Sequence, residues 1–186
     1  MKAWTPIRSS NQRDFRELVE TNQSRVYSIA YRILGDTGLA EEVAQDAFLA
    51  LYRDLGKMES DAHLLAWLRR VTVNRALDAH RRRASRVDFG AEEFQEEHTR
   101  VPNGMGHSSS GGQLFTDQRM EALVASLPAI PRAIVLLRYE ENMSPAEIAA
   151  ALSMPVATVK SHLQRALKML RTKAERQRKE VAHGRL

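Results

Sequence analysis

Residues 144–170 read SPAEIAAALSMPVATVKSHLQRALKML, and this stretch decides the fold of the C-terminal half of the chain. Ser144 is a favourable N-cap residue, and Pro145 suits the first position of a helix. Three apolar residues with helical spacing follow and predict an inward face: Ile148, Ala149 and Leu152. Ser153 and Met154 then leave room for a short turn before a second amphipathic helix. The pattern predicts a helix-turn-helix.

The second helix of this motif separates apolar from polar residues. Its predicted inward face consists of Val159, Leu163, Ala166 and Leu170. An α-helix fits the major groove of DNA, where Arg, Lys, Gln, Ser and Thr can hydrogen-bond base edges and phosphates. The outward residues predicted to contact DNA are Thr158, Lys160, Ser161, Gln164 and Arg165. The alternative is a pair of amphipathic helices with one solvated face.

The helical pattern also precedes this motif, starting near Thr116 or Asp117. Further back, residues 86–116 contain an acidic run and a stretch rich in Gly and Ser, which predicts a flexible linker. We therefore assign a C-terminal helical domain to residues 117–175 and a basic tail to residues 176–186.

Residues 1–85 contain three amphipathic segments with helical periodicity. The first ends at Leu34-Gly35, the second ends at Gly56, and the third is predicted to begin at an N-cap, Asp61. No segment alternates with a period of two residues, as a half-buried strand would. The predicted fold is all-α, with two small helical domains joined by the flexible linker.

The composition excludes several classes of site. The chain has 43% hydrophobic and 27% charged residues and no cysteine, which indicates packed cores without disulfides or thiolate metal ligands. The six histidines lack metal-ligand spacing, and there is no glycine-rich phosphate loop or Ser-His-Asp arrangement. We expect no cofactor, no metal and no enzymatic activity. We also find no apolar signal or membrane segment, and expect a cytoplasmic protein without membrane insertion.

Charge is distributed unevenly along the chain. Residues 69–86 hold seven arginines against one acid, and residues 160–186 hold nine Lys or Arg against two acids. Residues 36–61 instead hold seven acids against two basic residues, an excess that would repel DNA. The basic segments predict a polyanionic partner, whereas the acidic one should face protein or water.

Two segments of the first domain carry a resemblance to a known family: LAEEVAQDAFLALYRDL (39–55) and AWLRRVTVNRALDAHRRR (66–83). With the helix-turn-helix, they resemble the extracytoplasmic function (ECF) group of bacterial sigma factors, the subunits that give RNA polymerase its promoter specificity. The similarity extends over about residues 12–85 and 117–172, in the family's order. One departure lies in the turn of the motif, where Ser153 replaces the family's frequent glycine.

The resemblance implies a role for each domain. The acidic helix would bind core RNA polymerase, with Glu42, Gln45, Asp46 and Leu49 in contact. The basic helix would melt the promoter −10 element and hold a base flipped from the single strand. The residues assigned to that element are Asn74, Arg75, Asp78, Arg81, Arg82 and Arg83. The helix-turn-helix would bind the −35 element as duplex. Trp67 is expected in the core.

The resemblance also implies an anti-sigma factor as a partner. Two other functions stay open from the residues alone. One is a free-standing helix-turn-helix regulator, in which the first domain senses a ligand or dimerises. The other is a hydrolase or transferase with a helical core, for which a buried polar pocket in the first domain would be the evidence.

Overall fold

The computed structural model describes residues 12–89 and 119–183, with side chains over residues 15–85 and 119–179. The chain divides into two compact units, Met1–Glu96 and Glu97–Leu186. Every regular element within the described ranges is helical. The predicted fold class, two small all-α domains, is confirmed. Most of the predicted linker falls within residues 90–118, outside the described residues.

Over residues 12–89, the N-terminal unit is a bundle of three α-helices in mutual contact. Helix α1 spans Gln12–Leu34, α2 spans Thr37–Asp54, a short 3₁₀ helix covers Leu55–Lys57, and α3 spans Asp61–Phe89. Helix α3 thus continues past residue 85, the predicted end of the first domain. The helix does not break at the three arginines at positions 81–83.

A two-residue connection joins α1 to α2. Gly35 has φ of +69°, and its N–H donates to the carbonyl of Tyr31 at 2.7 Å. The next residue, Asp36, caps α2 by accepting a hydrogen bond from the N–H of Leu39 at 3.0 Å. Glycine tolerates the left-handed conformation that ends a helix, and aspartate satisfies a free N–H at the start of the next. The predicted stop at Gly35 is confirmed.

The start of α3 differs from the predicted one. The cap is Ser60 and not Asp61, since the Ser60 Oγ accepts from the N–H of His63 at 3.1 Å. The Ser60 carbonyl also accepts from the N–H of Leu64 at 2.9 Å. Asp61 is the first helical residue, where a carboxylate interacts favourably with the helix dipole.

The core of the N-terminal unit lies between the three helices. Trp67 is 8% exposed and packs within a cluster with Val26, Phe48, Leu51 and Leu68. The expectation that this indole belongs to the core is confirmed. Because the Trp67 ring is buried in the core, it does not contribute to the solvent-facing side of α3, which carries the polar and basic residues.

Over residues 119–183, the C-terminal unit contains four helices. They are α4 (residues 119–125), α5 (Ala129–Tyr139), α6 (Pro145–Leu152) and α7 (Val156–His183). Helix α7 packs against α5 and α6, and its buried Ala166 joins Leu127 and Val135 in the core. It crosses residue 175 without a break, so the first part of the predicted basic tail is helical. Across the described residues, no helix is long and apolar enough to span a bilayer.

Candidate nucleic-acid interface

The start of the helix-turn-helix is fixed by a reciprocal pair of hydrogen bonds. The Ser144 Oγ accepts from the N–H of Glu147 at 3.3 Å, and the Glu147 carboxylate accepts from the N–H of Ser144 at 2.7 Å. Pro145 occupies the first turn of α6, where its missing N–H has no intrahelical role. This capping box sets the position at which α6 begins.

The turn of the motif contains a strained residue. Ser153 has φ of +52° and ψ of +45°, the left-handed conformation that usually falls to glycine. The N–H of Met154 donates to the Ala149 carbonyl at 3.0 Å, and that of Ser153 to the Ala150 carbonyl at 3.4 Å. These two bonds end α6 in a Schellman arrangement and orient the chain for α7. The departure from glycine therefore leaves the geometry of the turn intact.

Helix α7 presents the predicted residues on one side. Lys160, Gln164 and Arg165 are exposed, while Thr158 and Ser161 are half-buried at the edges of that face. On the opposite side Val159 and Ala166 are fully buried, and Leu163 and Leu170 are half-buried. The predicted division is confirmed at the centre of each face of α7, whereas the other four residues of the two faces are all half-buried. In α6, Ile148 and Ala149 are buried, but Leu152 is only half-buried.

Two basic residues of this unit stabilise the fold instead of facing a ligand. The Arg132 guanidinium donates to the Leu127 carbonyl at 2.8 and 3.2 Å and also to the carbonyl of Ala125. The Lys173 Nζ donates to the carbonyl and hydroxyl of Ser126 at 3.0 and 2.7 Å. Both cations thus satisfy carbonyls at the C-terminal end of α4, where the helix dipole is negative. Burial lowers the pKa of Arg132.

Sequence reasoning missed both of these roles. Lys173 lies in the basic segment predicted to attract a polyanion, and no role is predicted for Arg132. The signal for Arg132 was its place directly after a helix end punctuated by Pro128 and Pro131. Nothing local indicated the bond between Lys173 and Ser126, since the two residues are 47 positions apart.

In the N-terminal unit, the exposed face of α2 combines acidic and apolar side chains. Glu42 and Gln45 are exposed, and Leu49 and Tyr52 are 56% and 57% exposed. The Tyr52 ring meets Phe15 edge to face, with 5.1 Å between the ring centroids. Negative charge beside exposed apolar groups suits a protein partner, since DNA would be repelled.

The basic face of α3 is partly neutralised by carboxylates. Arg75 Nη1 lies 2.8 Å from Asp46 Oδ2 of α2, and Arg83 Nη1 lies 3.2 Å from Oδ2 of Asp36, the cap residue of α2. Within α3 itself, Arg81 pairs with Asp78. Three of the four arginines assigned to the −10 element therefore hold ion pairs, and Asp46, assigned to polymerase binding, is engaged by one of them.

The remaining α3 candidates lie close to these pairs. Asn74 and Asp78 are half-buried and share a side of the helix with Arg81, at positions i, i+4 and i+7. Arg82 is exposed, and no side chain that the structure describes pairs with it. Thr72 is fully buried, and its hydroxyl has no hydrogen-bond partner among the described atoms. Elsewhere in the described ranges, no group of three His, Asp or Glu side chains is placed to hold a metal ion.

Comparison with known proteins places both units in one family. The model described as Sigma-70 region 2 matches residues 18–86, and that described as Sigma-70, region 4 matches residues 117–170. The ECF RNA polymerase sigma-E factor of Escherichia coli is 30% identical, over 91% of this chain and 91% of that protein. The RNA polymerase sigma-H factor of Pseudomonas aeruginosa is 31% identical, over 86% of each chain.

A solved structure has the same fold. It is the sigma factor RpoE in complex with the anti-sigma factor NepR from Bartonella quintana, with a TM-score of 0.67 and 21% identity. The match covers 87% of this chain and 97% of that one. At this identity, the similarity shows the fold alone. The two family models and the relatives at 30% identity or more show the family as well. The chain belongs to the ECF group of RNA polymerase sigma factors, which give the polymerase its promoter specificity.

Proposed function

We propose that this protein binds core RNA polymerase through α2 and directs it to promoters through α3 and α7. The observation that carries the proposal is the separation of surface chemistry. An acidic and apolar face lies on α2, and basic faces lie on α3 and α7. A protein that joins a polymerase to DNA needs both kinds of surface, and a free-standing DNA-binding regulator needs only the basic one.

The polymerase contact centres on Glu42, Gln45 and Leu49, which are exposed on α2. Leu49 supplies apolar area that desolvates on binding, and the acidic groups around it select a basic partner surface. Asp46 contributes at the edge of this face, where its pair with Arg75 leaves its carboxylate half-exposed.

The −10 contact is assigned to α3. Asn74 and Asp78 offer hydrogen bonds to the edge of a flipped base, and Arg82 offers a phosphate contact. The paired arginines, Arg75, Arg81 and Arg83, reach phosphates only by leaving their carboxylates. Partly exposed ion pairs of this kind are worth roughly 0–1 kcal/mol, so binding of a DNA strand can replace them.

The −35 contact is assigned to the first three turns of α7. Gln164 and Arg165 are exposed near the middle of its outward face, with Lys160 one turn earlier. The Arg165 Nε donates to the Ser161 carbonyl at 3.3 Å, which leaves the terminal nitrogens of the guanidinium for a base or a phosphate. Thr158 and Ser161 flank these residues and can bind phosphates.

Three further inferences follow from this assignment. An anti-sigma factor is a fitting partner, since the Bartonella quintana sigma factor of similar fold is bound to one. The site of action is the cytoplasm, where polymerase and promoter DNA are found. The protein is not an enzyme, because the chemistry of RNA synthesis belongs to the polymerase.

The experiment is run-off transcription with purified core polymerase on a library of promoter fragments, with and without the protein. Specific transcripts that require the protein are the expected result. Specific DNA binding in the absence of core polymerase, combined with no protein-dependent transcript, would replace the proposal with a free-standing regulator.

A further inference from the structure

Helix α7 continues beyond the part of the chain that the region 4 family model matches. That match ends at residue 170, whereas the helix runs to His183. At 28 residues, its length is about 42 Å. The basic residues in and just before this extension, among those with described side chains, are Lys168, Arg171, Lys173, Arg176, Arg178 and Lys179. Only one acid, Glu175, lies among them.

Two of these cations point towards α4. Lys173 bonds to Ser126, and Arg176 lines a small cleft of about 270 Å³ together with Ala122 and Leu123 of α4. Lys168, Arg171 and Arg178 are exposed, and no carboxylate in the described part of the chain pairs with them. The charge of the extension is therefore divided between a face that packs on α4 and a face open to solvent.

The open face is in phase with the residues assigned to DNA. Seven residues complete nearly two turns of an α-helix, so Gln164, Arg171 and Arg178 lie almost in line. Lys160 and Lys168 lie one turn before and after Gln164 on the same side. We name these five residues the α7 stripe. Glu175 is also exposed on this side of the helix. The four cations of the stripe outnumber this one carboxylate, so the net charge of this side is positive.

The α7 stripe is longer than the major groove of DNA is wide. Lys160 and Arg178 are separated by about 27 Å along the helix axis at 1.5 Å per residue. The major groove of B-DNA is only about 12 Å wide. The first three turns can reach base edges, and the later cations of the stripe fall at or beyond the rim of the groove, where phosphates are the available ligands.

We propose that Lys168, Arg171 and Arg178 form a basic arm that binds the phosphate backbone of the duplex beside the bases read by the start of α7. The inference rests on the proposed function of α7 in binding the −35 element. Such an arm adds affinity without adding sequence preference, because phosphates are the same at every base pair. It also makes binding more sensitive to salt, since each neutralised phosphate releases condensed counterions.

The test uses the full chain with core polymerase and two double variants. Arg171→Gln with Arg178→Gln removes two charges from the arm. Arg119→Gln with Arg176→Gln removes two exposed arginines of the same unit outside the α7 stripe. Glutamine preserves helix propensity, and circular dichroism checks that the helix content is unchanged. The measurement is the dissociation constant for a promoter duplex and for a scrambled duplex over a range of KCl concentrations.

The arm predicts a smaller salt dependence for the first variant. The slope of log affinity against log salt should fall by up to about 1.8 units, since each lost phosphate contact removes about 0.9. Both duplexes should weaken by the same factor, and the second variant should keep the wild-type slope. An unchanged slope in the first variant, an equal loss in the second, or a loss confined to the promoter duplex would each overturn the arm. Protein-dependent run-off transcription by the wild type separates these outcomes from failure of the proposed function.

Discussion

The two basic helices, α3 and α7, use the same residue types in opposite ways. Arg75 of α3 pairs with Asp46 of α2 at 2.8 Å, and Arg83 of α3 pairs with Asp36, the cap residue of α2, at 3.2 Å. In α7, Lys160 and Arg171 face solvent, and no described carboxylate pairs with either. A run of arginines in a sequence therefore does not measure the positive charge that DNA meets. The charge of α7 is available at once, whereas much of that of α3 has to be released from a partner.

The largest change in stability should come from Arg132, a basic residue that lies on neither α3 nor α7. Arg132→Ala removes the donors that satisfy carbonyls at the end of α4, and hydrogen bonds to a charged group are worth roughly 1.5–3 kcal/mol. We expect the free energy of unfolding of the C-terminal unit to fall by about 2–3 kcal/mol in urea denaturation. Arg119→Ala, an exposed arginine of the same unit, is the control and should change stability by less than about 0.5 kcal/mol. Equal stability of the two variants would show that the hydrogen bonds of Arg132 to the end of α4 do not stabilise the unit.

The next effect separates the protein-binding face from the DNA-binding faces. Leu49→Asp places a charge where α2 offers exposed apolar area, and hot-spot residues of interfaces cost about 2 kcal/mol or more when lost. Affinity for core polymerase should drop at least about tenfold, while the stability of the free protein stays the same. Surface plasmon resonance with immobilised core polymerase measures the loss.

Glu20→Lys, an exposed charge change on α1 of the same unit, is the matched control for Leu49→Asp. It should bind core polymerase as the wild type does. Wild-type binding by Leu49→Asp would remove α2 from the polymerase contact and leave its acidic face as a solvated surface.

A smaller effect concerns the turn that aims α7. Ser153→Gly relieves a left-handed conformation that costs an L-residue roughly 1–2 kcal/mol. Glycine also makes the unfolded chain more flexible, and this entropy offsets part of the gain in stability. The C-terminal unit should gain up to about 1 kcal/mol in thermal or urea unfolding. Ser85→Gly, in the exposed last part of α3, should instead destabilise its unit. A loss of stability in Ser153→Gly would mean that the serine side chain stabilises the turn.

The smallest effect tests the pairing on α3 directly. A double-mutant cycle of Asp46→Asn and Arg75→Gln should give a coupling free energy of roughly 0.2–1 kcal/mol, as for other partly exposed ion pairs. Arg82→Gln should leave stability unchanged, because Arg82 has no partner among the described residues. A coupling of zero would make Arg75 as available to DNA as the cations of α7.

The sequence predicted what depends on local periodicity. The apolar spacing in α7 placed Val159 and Ala166 inside, and Gly35 marked the end of α1 through its backbone freedom. The start of α3 was missed by one residue, because Ser60 and Asp61 are both good capping types and only the hydrogen bond of the Ser60 hydroxyl separates them.

Contacts between distant residues could not be predicted in this way. Asp46 and Arg75 are 29 positions apart, and the sequence predicts different partners for them, polymerase and DNA, yet they form an ion pair with each other. In the sequence, Lys173 is one more cation of a basic segment, but in the structure it bonds to Ser126, 47 positions away. Helical phase is a local property of a sequence, but the pairing of its surface charges depends on which helices lie side by side.

In the proposed function, one chain carries a polymerase-binding face and two promoter-binding faces. The most direct test is run-off transcription by core polymerase and this protein from one selected promoter, with the −10 and −35 elements scrambled in turn. The account predicts a transcript that requires the protein and is lost when either element is scrambled. A transcript that forms without the protein, or that survives scrambling of either element, would contradict it.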